Sequence, residues 1–153
     1  MIFMRIALFQ PDIPQNTGNI MRLGACLNLS IDIIEPTGYI FDDKRFKRSS
    51  MDYLKYSKYK RHLDWDSFHK WSLKNNYEII LLTTKSQKNY LKHQFKKNDI
   101  LLFGRESAGV PEIVHKLAKE RITIPMKKGL RSINVSSAVA LVVGEACRQL
   151  KLF

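Results

Sequence analysis

Three polar segments of the sequence, each of which follows a short apolar run, carry side chains that could do chemistry. They span residues 16–22, 104–111 and 126–134. If the apolar runs are parallel strands, the segments meet at the carboxyl edge of one sheet, where open α/β sheets bind ligands. The side chains brought together there would be two amides, a guanidinium, a carboxylate and a hydroxyl: Asn16, Asn134, Arg22, Glu106 and Ser132. This set suits a small polar ligand with an adenosine-like part and a second substrate beside it.

Motifs that the sequence lacks argue against several common chemistries. Neither glycine-containing loop, 104–111 or 125–132, reads Gly-x-Gly-x-x-Gly after the first apolar run, so a conventional dinucleotide site is not supported. There is no Gly-x-x-x-x-Gly-Lys-Ser/Thr phosphate loop and no Gly-x-Ser-x-Gly hydrolase elbow. Cys26 and Cys147 have no Cys or His at ligand spacing, so no metal is expected. Both cysteines are expected to be small buried residues of a cytoplasmic protein.

The charge of the chain indicates an anionic partner. Its 153 residues contain 26 Lys and Arg against 14 Asp and Glu, a net charge of +12. This excess favours a polyanion, with nucleic acid first, and a generally basic surface is the alternative. The length suits a single α/β domain, expected to cover residues 1–153. The apolar runs are short, so no signal peptide and no membrane span are expected.

The apolar pattern predicts the elements that position the polar segments. Strands are predicted at residues 5–9, 30–35, 78–84, 100–103 and 122–124, and helices at 18–28, 64–75, 86–95, 111–118 and 134–150. Strands that alternate with helices predict an α/β fold with a parallel sheet flanked by helices. Asn16 or Thr17 is expected to cap the first helix. The core side of the second helix is expected to be formed by its apolar residues, Trp65, Phe68, Trp71 and Leu73.

A basic stretch at residues 42–62 interleaves Lys and Arg with Phe46, Tyr53, Tyr56 and Tyr59. Because cations contact phosphates and aromatic rings stack on unpaired bases, the stretch is predicted to contact RNA. For any single residue, the alternative is a solvated basic helix followed by an edge strand.

The last helix is apolar around nearly its whole circumference over residues 135–147. Such a helix must be covered on all sides, and a second copy of the chain is one way to cover it. The small residues Ala138, Ala140, Gly144 and Ala146 would let that copy approach closely. A homodimer is therefore predicted.

The polar segments resemble the three motifs of the SpoU-type methyltransferases of the SPOUT superfamily. They read Asn-Thr-Gly-Asn-Ile-Met-Arg from Asn16, Leu-Phe-Gly-Arg-Glu-Ser-Ala-Gly-Val-Pro from Leu102, and Ile-Pro-Met-(x5)-Ser-Ile-Asn-Val-Ser-Ser-Ala-Val-Ala from Ile124. With Leu-Thr-Thr-Lys from Leu82 and residues 42–53, the chain is similar to the minimal bacterial members that methylate the ribose 2′-oxygen of cytidine or uridine 34 of tRNA. The resemblance covers essentially the whole chain.

The resemblance implies a parallel α/β fold with a C-terminal trefoil knot. It also implies S-adenosylmethionine (SAM) as cofactor and the anticodon stem-loop of tRNA, leucine isoacceptors first, as substrate. Carried over by position, the cofactor contacts fall at eight residues: Leu82, Thr83, Gly104, Glu106, Ile124, Met126, Ser132 and Asn134. Main-chain N–H and C=O groups of apolar residues can hydrogen-bond to adenine, so the resemblance implies that Leu82 and Ile124 contact the cofactor. Composition alone would predict that both residues belong to the strand core.

The implied catalytic group is Arg22, with Asn16, Glu106 and Asn134 around it. A guanidinium stays protonated at neutral pH and is a poor base. We therefore expect Arg22 to orient the phosphate and to stabilise the forming alkoxide, while the group that accepts the proton is left open. Asn16 is expected to shape the loop that holds Arg22, and Glu106 to be either a partner of Arg22 or a brace of its own loop.

Implied RNA contacts are basic residues: Arg22, Lys44, Arg45, Arg48 and Lys55. Relatives that modify ribosomal RNA usually carry an extra N-terminal RNA-binding domain, and the sequence shows none. The dimer itself is therefore expected to bind RNA, through residues 44–61. Two other functions stay open: a non-catalytic RNA-binding protein of the same fold, and a 2′-O-methyltransferase that acts on another RNA site.

Overall fold

The part of the chain that the structure describes contains a central sheet of six parallel strands. The structure is a computed structural model that describes residues 3–41 and 51–152. Its strands are β1 (Arg5–Phe9), β2 (Ser30–Ile34), β3 (Tyr59–His62), β4 (Glu78–Leu82), β5 (Asp99–Phe103) and β6 (Glu120–Ile122). They lie in the order β3-β2-β1-β5-β4-β6, and each neighbouring pair is parallel. The predicted parallel α/β fold is confirmed.

Within residues 3–41 and 51–152, four α-helices cover the two faces of the sheet. They are α1 (Pro14–Cys26), α2 (Trp65–Lys74), α3 (Glu112–Leu117) and α4 (Val135–Leu150), and two short 3₁₀ turns span Met51–Tyr56 and Tyr90–Lys92. Successive residues of a strand point to opposite faces. Ile6 and Leu8 of β1 therefore pack in one core with α1 and α4, while Ala7 and Phe9 pack in the other with α2 and α3. Strands covered on both faces are continuous apolar runs, which is why the sequence reveals them.

The first helix begins earlier than predicted, and the predicted cap is wrong. Pro14 occupies the first turn and Ile13 is the N-cap residue, with no side-chain hydrogen bond to the helix end. Proline suits this position because its missing N–H would have no partner there. Asn16 and Thr17 lie inside the helix and are buried.

The predicted helix at 86–95 is also wrong, because only Tyr90–Lys92 forms a 3₁₀ turn there. Two polar side chains bond the local main chain instead, as such residues do outside helices. Ser86 Oγ accepts from the N–H of Lys88 at 3.1 Å, and Asn89 Oδ1 accepts from the N–H of Leu91 at 2.9 Å. Outside the 3₁₀ turn, this segment is irregular, with an isolated parallel bridge between Asn89 and Thr123.

Smaller corrections concern the ends of strands and single side chains. The strand predicted at 78–84 ends at Leu82, and the strand predicted at 122–124 spans Glu120–Ile122. Leu73 is 61% exposed rather than part of the core, and Ser72 is buried in its place. Cys147 is buried as expected, but Cys26 is exposed.

A buried ion pair ties the β2 and β3 edge of the sheet to its centre. The Asp32 carboxylate is fully buried and accepts from Arg5 Nε at 2.6 Å and from Arg5 Nη2 at 3.1 Å. His62 Nε2 lies 2.8 Å from the same carboxylate. Trp71 of α2 covers this group, with its ring centroid 5.0 Å from the Arg5 guanidinium carbon. One carboxylate thus connects β1, β2 and β3.

Replacement of Asp32 by alanine should lower the free energy of unfolding by about 3–5 kcal/mol, because the mostly buried Arg5 would lose its counter-charge. Glu35→Ala is the matched control, since Glu35 pairs with Arg61 in a partly exposed position where ion pairs contribute about 1 kcal/mol or less. Urea denaturation measures both. Equal losses in the two variants would show that the Asp32 cluster is not structurally important.

Candidate active site

A cavity of about 390 Å³, called here the main cavity, opens at the carboxyl edge of the sheet. Its walls come from the ends of β4 and β5, the segment after β6, the first turn of α1 and the N-terminal turn of α4. The order of the strands reverses between β1 and β5, and open α/β sheets bind ligands next to such a switch point. A volume of this size is ordinary for a small-molecule site.

The main cavity brings together most of the predicted site residues. Asn16 and all eight positions assigned to the cofactor line it: Leu82, Thr83, Gly104, Glu106, Ile124, Met126, Ser132 and Asn134. Lys85 and His115 also line the cavity and were missed by sequence reasoning. His115 is buried, and burial, with Lys85 nearby, lowers the pKa of its imidazole.

The loop after β5 closes on itself and turns Glu106 towards α1. The N–H of Arg105 donates to the carbonyl of Gly109 at 3.2 Å, and the N–H of Gly109 donates back to the carbonyl of Arg105 at 2.9 Å. Gly109 has a φ of +64°, a conformation that glycine adopts without strain. A Cβ on Gly104 would lie 2.7 Å from the Cα of Gly109, so the close approach needs glycine there as well.

Three side chains form a continuous chain of hydrogen bonds across the site. Asn16 Nδ2 donates to Glu106 Oε1 at 3.1 Å, and Asn134 Nδ2 donates to Asn16 Oδ1, also at 3.1 Å. The other oxygen of Glu106 accepts from the main-chain N–H of Asp12 at 3.1 Å. Polar residues of all three sequence motifs are therefore in contact. Glu106 links its loop to α1 and to the loop that precedes α1.

Asn134 also caps α4. Its Oδ1 accepts from the N–H of Ser136 at 2.9 Å and from the N–H of Ser137 at 3.4 Å. The first N–H groups of a helix have no partners within the helix, and an Asn at the N-cap satisfies them. Ser132 is exposed and lies two residues before Asn134.

The two carboxyl groups beside the hydrogen-bond chain influence each other. Burial raises the pKa of Glu106, and its contact with the Asp12 carboxyl raises it further. The same contact, together with the hydrogen bond from the Ser107 hydroxyl, lowers the pKa of Asp12. Glu106 is therefore the member of the pair that binds a proton more readily.

Arg22 does not line the main cavity of its own chain. It lies exposed on α1, and its guanidinium carbon is 4.9 Å from the ring centroid of Tyr53. The 3₁₀ turn that carries Tyr53 is attached to α1 next to Arg22, because Ser57 Oγ donates to the carbonyl of Met21 at 3.1 Å. Tyr53, which the sequence suggested as a surface for stacking bases, thus contacts Arg22.

The predicted RNA contacts are only partly within the described residues. Lys44, Arg45 and Arg48 lie outside them. Lys55 is exposed, with its Nζ 5.1 Å from the ring centroid of the exposed Tyr56. β3 follows as an edge strand, which agrees with the edge strand of the alternative interpretation, and it leaves Lys60 and Arg61 exposed.

The structure offers no metal site and no membrane helix in its described part. Over residues 3–41 and 51–152, no group of three or more His, Cys, Asp or Glu side chains could hold a metal ion. Within the same ranges, no helix has the length and apolarity that crossing a membrane requires.

Comparison with known proteins identifies the family of the chain. The model of the SpoU rRNA Methylase family matches residues 4–144. The chain belongs to the SpoU methylase family. A curated relative, the tRNA (cytidine(34)-2′-O)-methyltransferase of Beijerinckia indica, is 47% identical over 144 residues, which cover 94% of this chain and 90% of the relative.

Solved structures share the SpoU fold with this chain. One concerns 2′-OH methylation of C/U34 on tRNA; it has a TM-score of 0.92 and 31% identity, and the match covers 98% of this chain and 97% of the other. A second is the SpoU methyltransferase AviRb of Streptomyces viridochromogenes in complex with AdoMet, with a TM-score of 0.89 and 21% identity. That match covers 97% of this chain and 61% of the other, and at this identity it shows the fold alone.

In this SpoU protein, Glu106→Gln should gain stability relative to the unaltered protein as pH rises. The raised pKa means that the folded protein holds the Glu106 proton more tightly than the unfolded chain does. Its stabilising contribution is therefore present at low pH and is lost as pH rises through the folded pKa. Free energies of unfolding measured from about pH 4 to about pH 7 should diverge in favour of the variant. Two parallel curves would contradict the pKa shift.

Proposed function

We propose that the protein is a SAM-dependent methyltransferase that methylates the 2′-oxygen of the ribose of nucleotide 34, cytidine or uridine, in tRNA. The observation that carries this proposal is the main cavity, in which the polar residues of all three motifs meet. The relative that is 47% identical bears this activity in its name, and the structure with a TM-score of 0.92 concerns the same reaction. Leucine isoacceptors are the proposed substrates. A cytoplasmic location and a single domain are also part of the proposal.

The lining of the main cavity fits SAM. Leu82 and Ile124 offer apolar surface and main-chain groups for an adenine ring. Thr83 and Ser132 offer hydroxyls for a ribose, and the carboxyl of Glu106 can balance a positive charge. Gly104, Met126 and Asn134 complete the proposed contacts. When bound, SAM supplies a methyl group on a positively charged sulfur.

The contribution of the protein to the reaction is largely positioning. Holding two reactants in the right orientation can supply up to about 7–11 kcal/mol of a reaction barrier. The hydrogen bonds from Glu106 through Asn16 to Asn134 hold the walls of the cavity in one arrangement, which is the role proposed for these three side chains. The hydrogen bonds that Glu106 accepts from Asn16 and from the N–H of Asp12 favour its role as a brace of its own loop over a role as a partner of Arg22.

Arg22 is the proposed catalytic residue. Its guanidinium donates up to five hydrogen bonds and stays charged, so it can hold a phosphate and stabilise an alkoxide that forms on the ribose. The contact with Tyr53 restricts where the guanidinium lies. RNA is proposed to approach over this surface, with Lys55 and the residues outside the described ranges, Lys44, Arg45 and Arg48, as further contacts.

A homodimer through α4 is part of the proposal. The side of α4 turned away from the sheet is exposed, and it carries Ala140, Leu141 and Gly144. Leu141 is 47% exposed, which leaves an apolar side chain for a second copy to cover. The predicted contact residue Ala146 is buried within the chain and is removed from this surface. α1 packs beside α4 in the same core, so Arg22 lies on the same side of the sheet as the proposed dimer surface.

A C-terminal trefoil knot is proposed from the resemblance to the family. Two main-chain hydrogen bonds support a close contact between the segments concerned. The N–H of Thr123 donates to the carbonyl of Lys88 at 2.8 Å, and the N–H of Tyr90 donates to the carbonyl of Thr123 at 2.9 Å.

Incubation of the protein with tRNA and SAM should place a 2′-O-methyl group at nucleotide 34, as mapped by mass spectrometry of nuclease digests. Arg22→Ala should lower the rate by about 10²–10³-fold, the usual loss when a donor to a forming oxyanion is removed. SAM binding, measured by calorimetry, should be unchanged. Arg22→Lys keeps the charge without the planar fork and should recover only part of the rate.

Two outcomes would contradict these expectations. Full turnover in Arg22→Ala would remove this residue from the mechanism. Intact tRNA affinity in a protein that does not bind SAM would favour the alternative function, a non-catalytic RNA-binding protein.

Leu141→Glu should convert the proposed dimer into monomers, because it places a charge in an apolar contact at the centre of the exposed side of α4. Leu73→Glu is the matched control, since Leu73 is also exposed but lies on α2, which covers the other face of the sheet. Sedimentation at micromolar concentration distinguishes the species. A monomeric unaltered protein would refute the dimer.

A further inference from the structure

Five exposed lysines lie along the β6 edge of the sheet, at the opposite end from the β3 edge. They are Lys85, Lys88, Lys92, Lys96 and Lys119, called here the β6 lysine row. Four of them come from the segment between β4 and β5, and Lys119 directly precedes β6. Lys85 also lines the main cavity.

The backbone that carries the β6 lysine row is fixed at several points. Next to the main-chain bonds between Lys88, Tyr90 and Thr123, His93 Nδ1 lies 3.1 Å from Glu120 Oε2 of β6. Gln149 of α4 donates from Nε2 to the carbonyl of His93 at 3.0 Å, and its Oε1 accepts from the N–H of Phe95 at 3.0 Å. The lysines are therefore mounted on a backbone that is tied to β6 and to α4.

The β6 lysine row has a surplus of positive charge. Lys88 pairs with Glu120, and Lys96 Nζ lies 3.1 Å from Glu78 Oε2. Lys85, Lys92 and Lys119 make no ion pair with any described residue. A second cavity of about 270 Å³ lies among the lysines and is lined by four of them: Lys88, Lys92, Lys96 and Lys119. Water-exposed ammonium groups around a concave surface form a favourable site for anions.

The β6 lysine row begins at the proposed active site. Lys85 lines the main cavity, beyond the carboxyl end of β4, whereas Lys96 and Lys119 lie near the amino ends of β5 and β6. Strands rise about 3.3 Å per residue, so the row extends along the height of the sheet, further than one phosphate group can reach. An extended polyanion that passes the mouth of the main cavity fits this arrangement.

We propose that the β6 lysine row binds the sugar-phosphate backbone of the tRNA beside the nucleotide whose ribose enters the main cavity. The inference rests on the proposed function, which makes tRNA the partner. Lysine contacts to phosphates position a nucleic acid without reading its sequence. The row would bind the RNA on the side of the site away from β3. With the contacts proposed for Arg22 and Lys55, the RNA would then contact the protein towards both edges of the sheet.

The test compares two double variants with the same change in net charge. Lys92→Gln/Lys119→Gln removes the two lysines of the row that have no ion pair and do not line the main cavity. Lys70→Gln/Lys74→Gln is the matched control, because both lysines are exposed on α2. Equilibrium binding of tRNA, without SAM and without turnover, is measured over a series of salt concentrations.

The row variant should bind tRNA more weakly, and its log–log salt slope should be less steep by about 1.4–1.8, the value for two lost phosphate contacts. The control variant should keep the slope of the unaltered protein. If the proposed methylation occurs, the KM for tRNA should rise in the row variant with little change in kcat or SAM affinity.

Equal affinities and slopes in the two double variants would overturn the role of the row and leave the proposed function intact. Tight tRNA binding without methylation would remove the proposed function and still allow the slopes to test the row. A protein that does not bind tRNA at all would overturn both.

Discussion

The hydrogen-bond chain from Glu106 through Asn16 to Asn134 is the constraint on which the site depends. These residues belong to the loop after β5, to α1 and to the N-cap of α4, and they are distant in sequence. Each amide uses both ends: Asn16 donates to one neighbour and accepts from the other, and Asn134 caps its helix while it donates to Asn16. Partly buried polar groups are costly unless they are satisfied, so this network favours one arrangement of the cavity walls.

Helix α4 connects this network to the rest of the molecule. Its N-terminus is capped by Asn134 at the main cavity, its buried side packs in the core with α1, and its exposed side forms the proposed dimer contact. Near its C-terminus, Gln149 holds the segment that carries the β6 lysine row. The proposed SAM site, the proposed dimer contact and the proposed RNA contact would thus all depend on the placement of one helix.

Sequence reasoning succeeded where a single physical signal dominates. The interior strands are continuous apolar runs, which is why the sequence predicts them. The positions that the family motifs assign to the cofactor line the main cavity, and their contact with SAM stays a prediction. It failed where remote contacts decide the structure. Asp32 contacts Arg5 and His62, and His93 contacts Glu120, each at least 27 residues away in the chain. Leu73 is exposed although it is apolar. The order of the strands could not be predicted either, because the apolar pattern shows that strands are buried but not which ones are neighbours.

The order of the strands also has a consequence for synthesis of the chain. β1 pairs with β2 on one side and with β5 on the other, and Arg5 lies opposite Ile100. While the ribosome is still making the middle of the chain, one edge of β1 therefore has no partner. An unpaired apolar strand is a template for aggregation. A chain that ended after β4 would therefore be expected to aggregate, because β5 would not cover the second edge of β1.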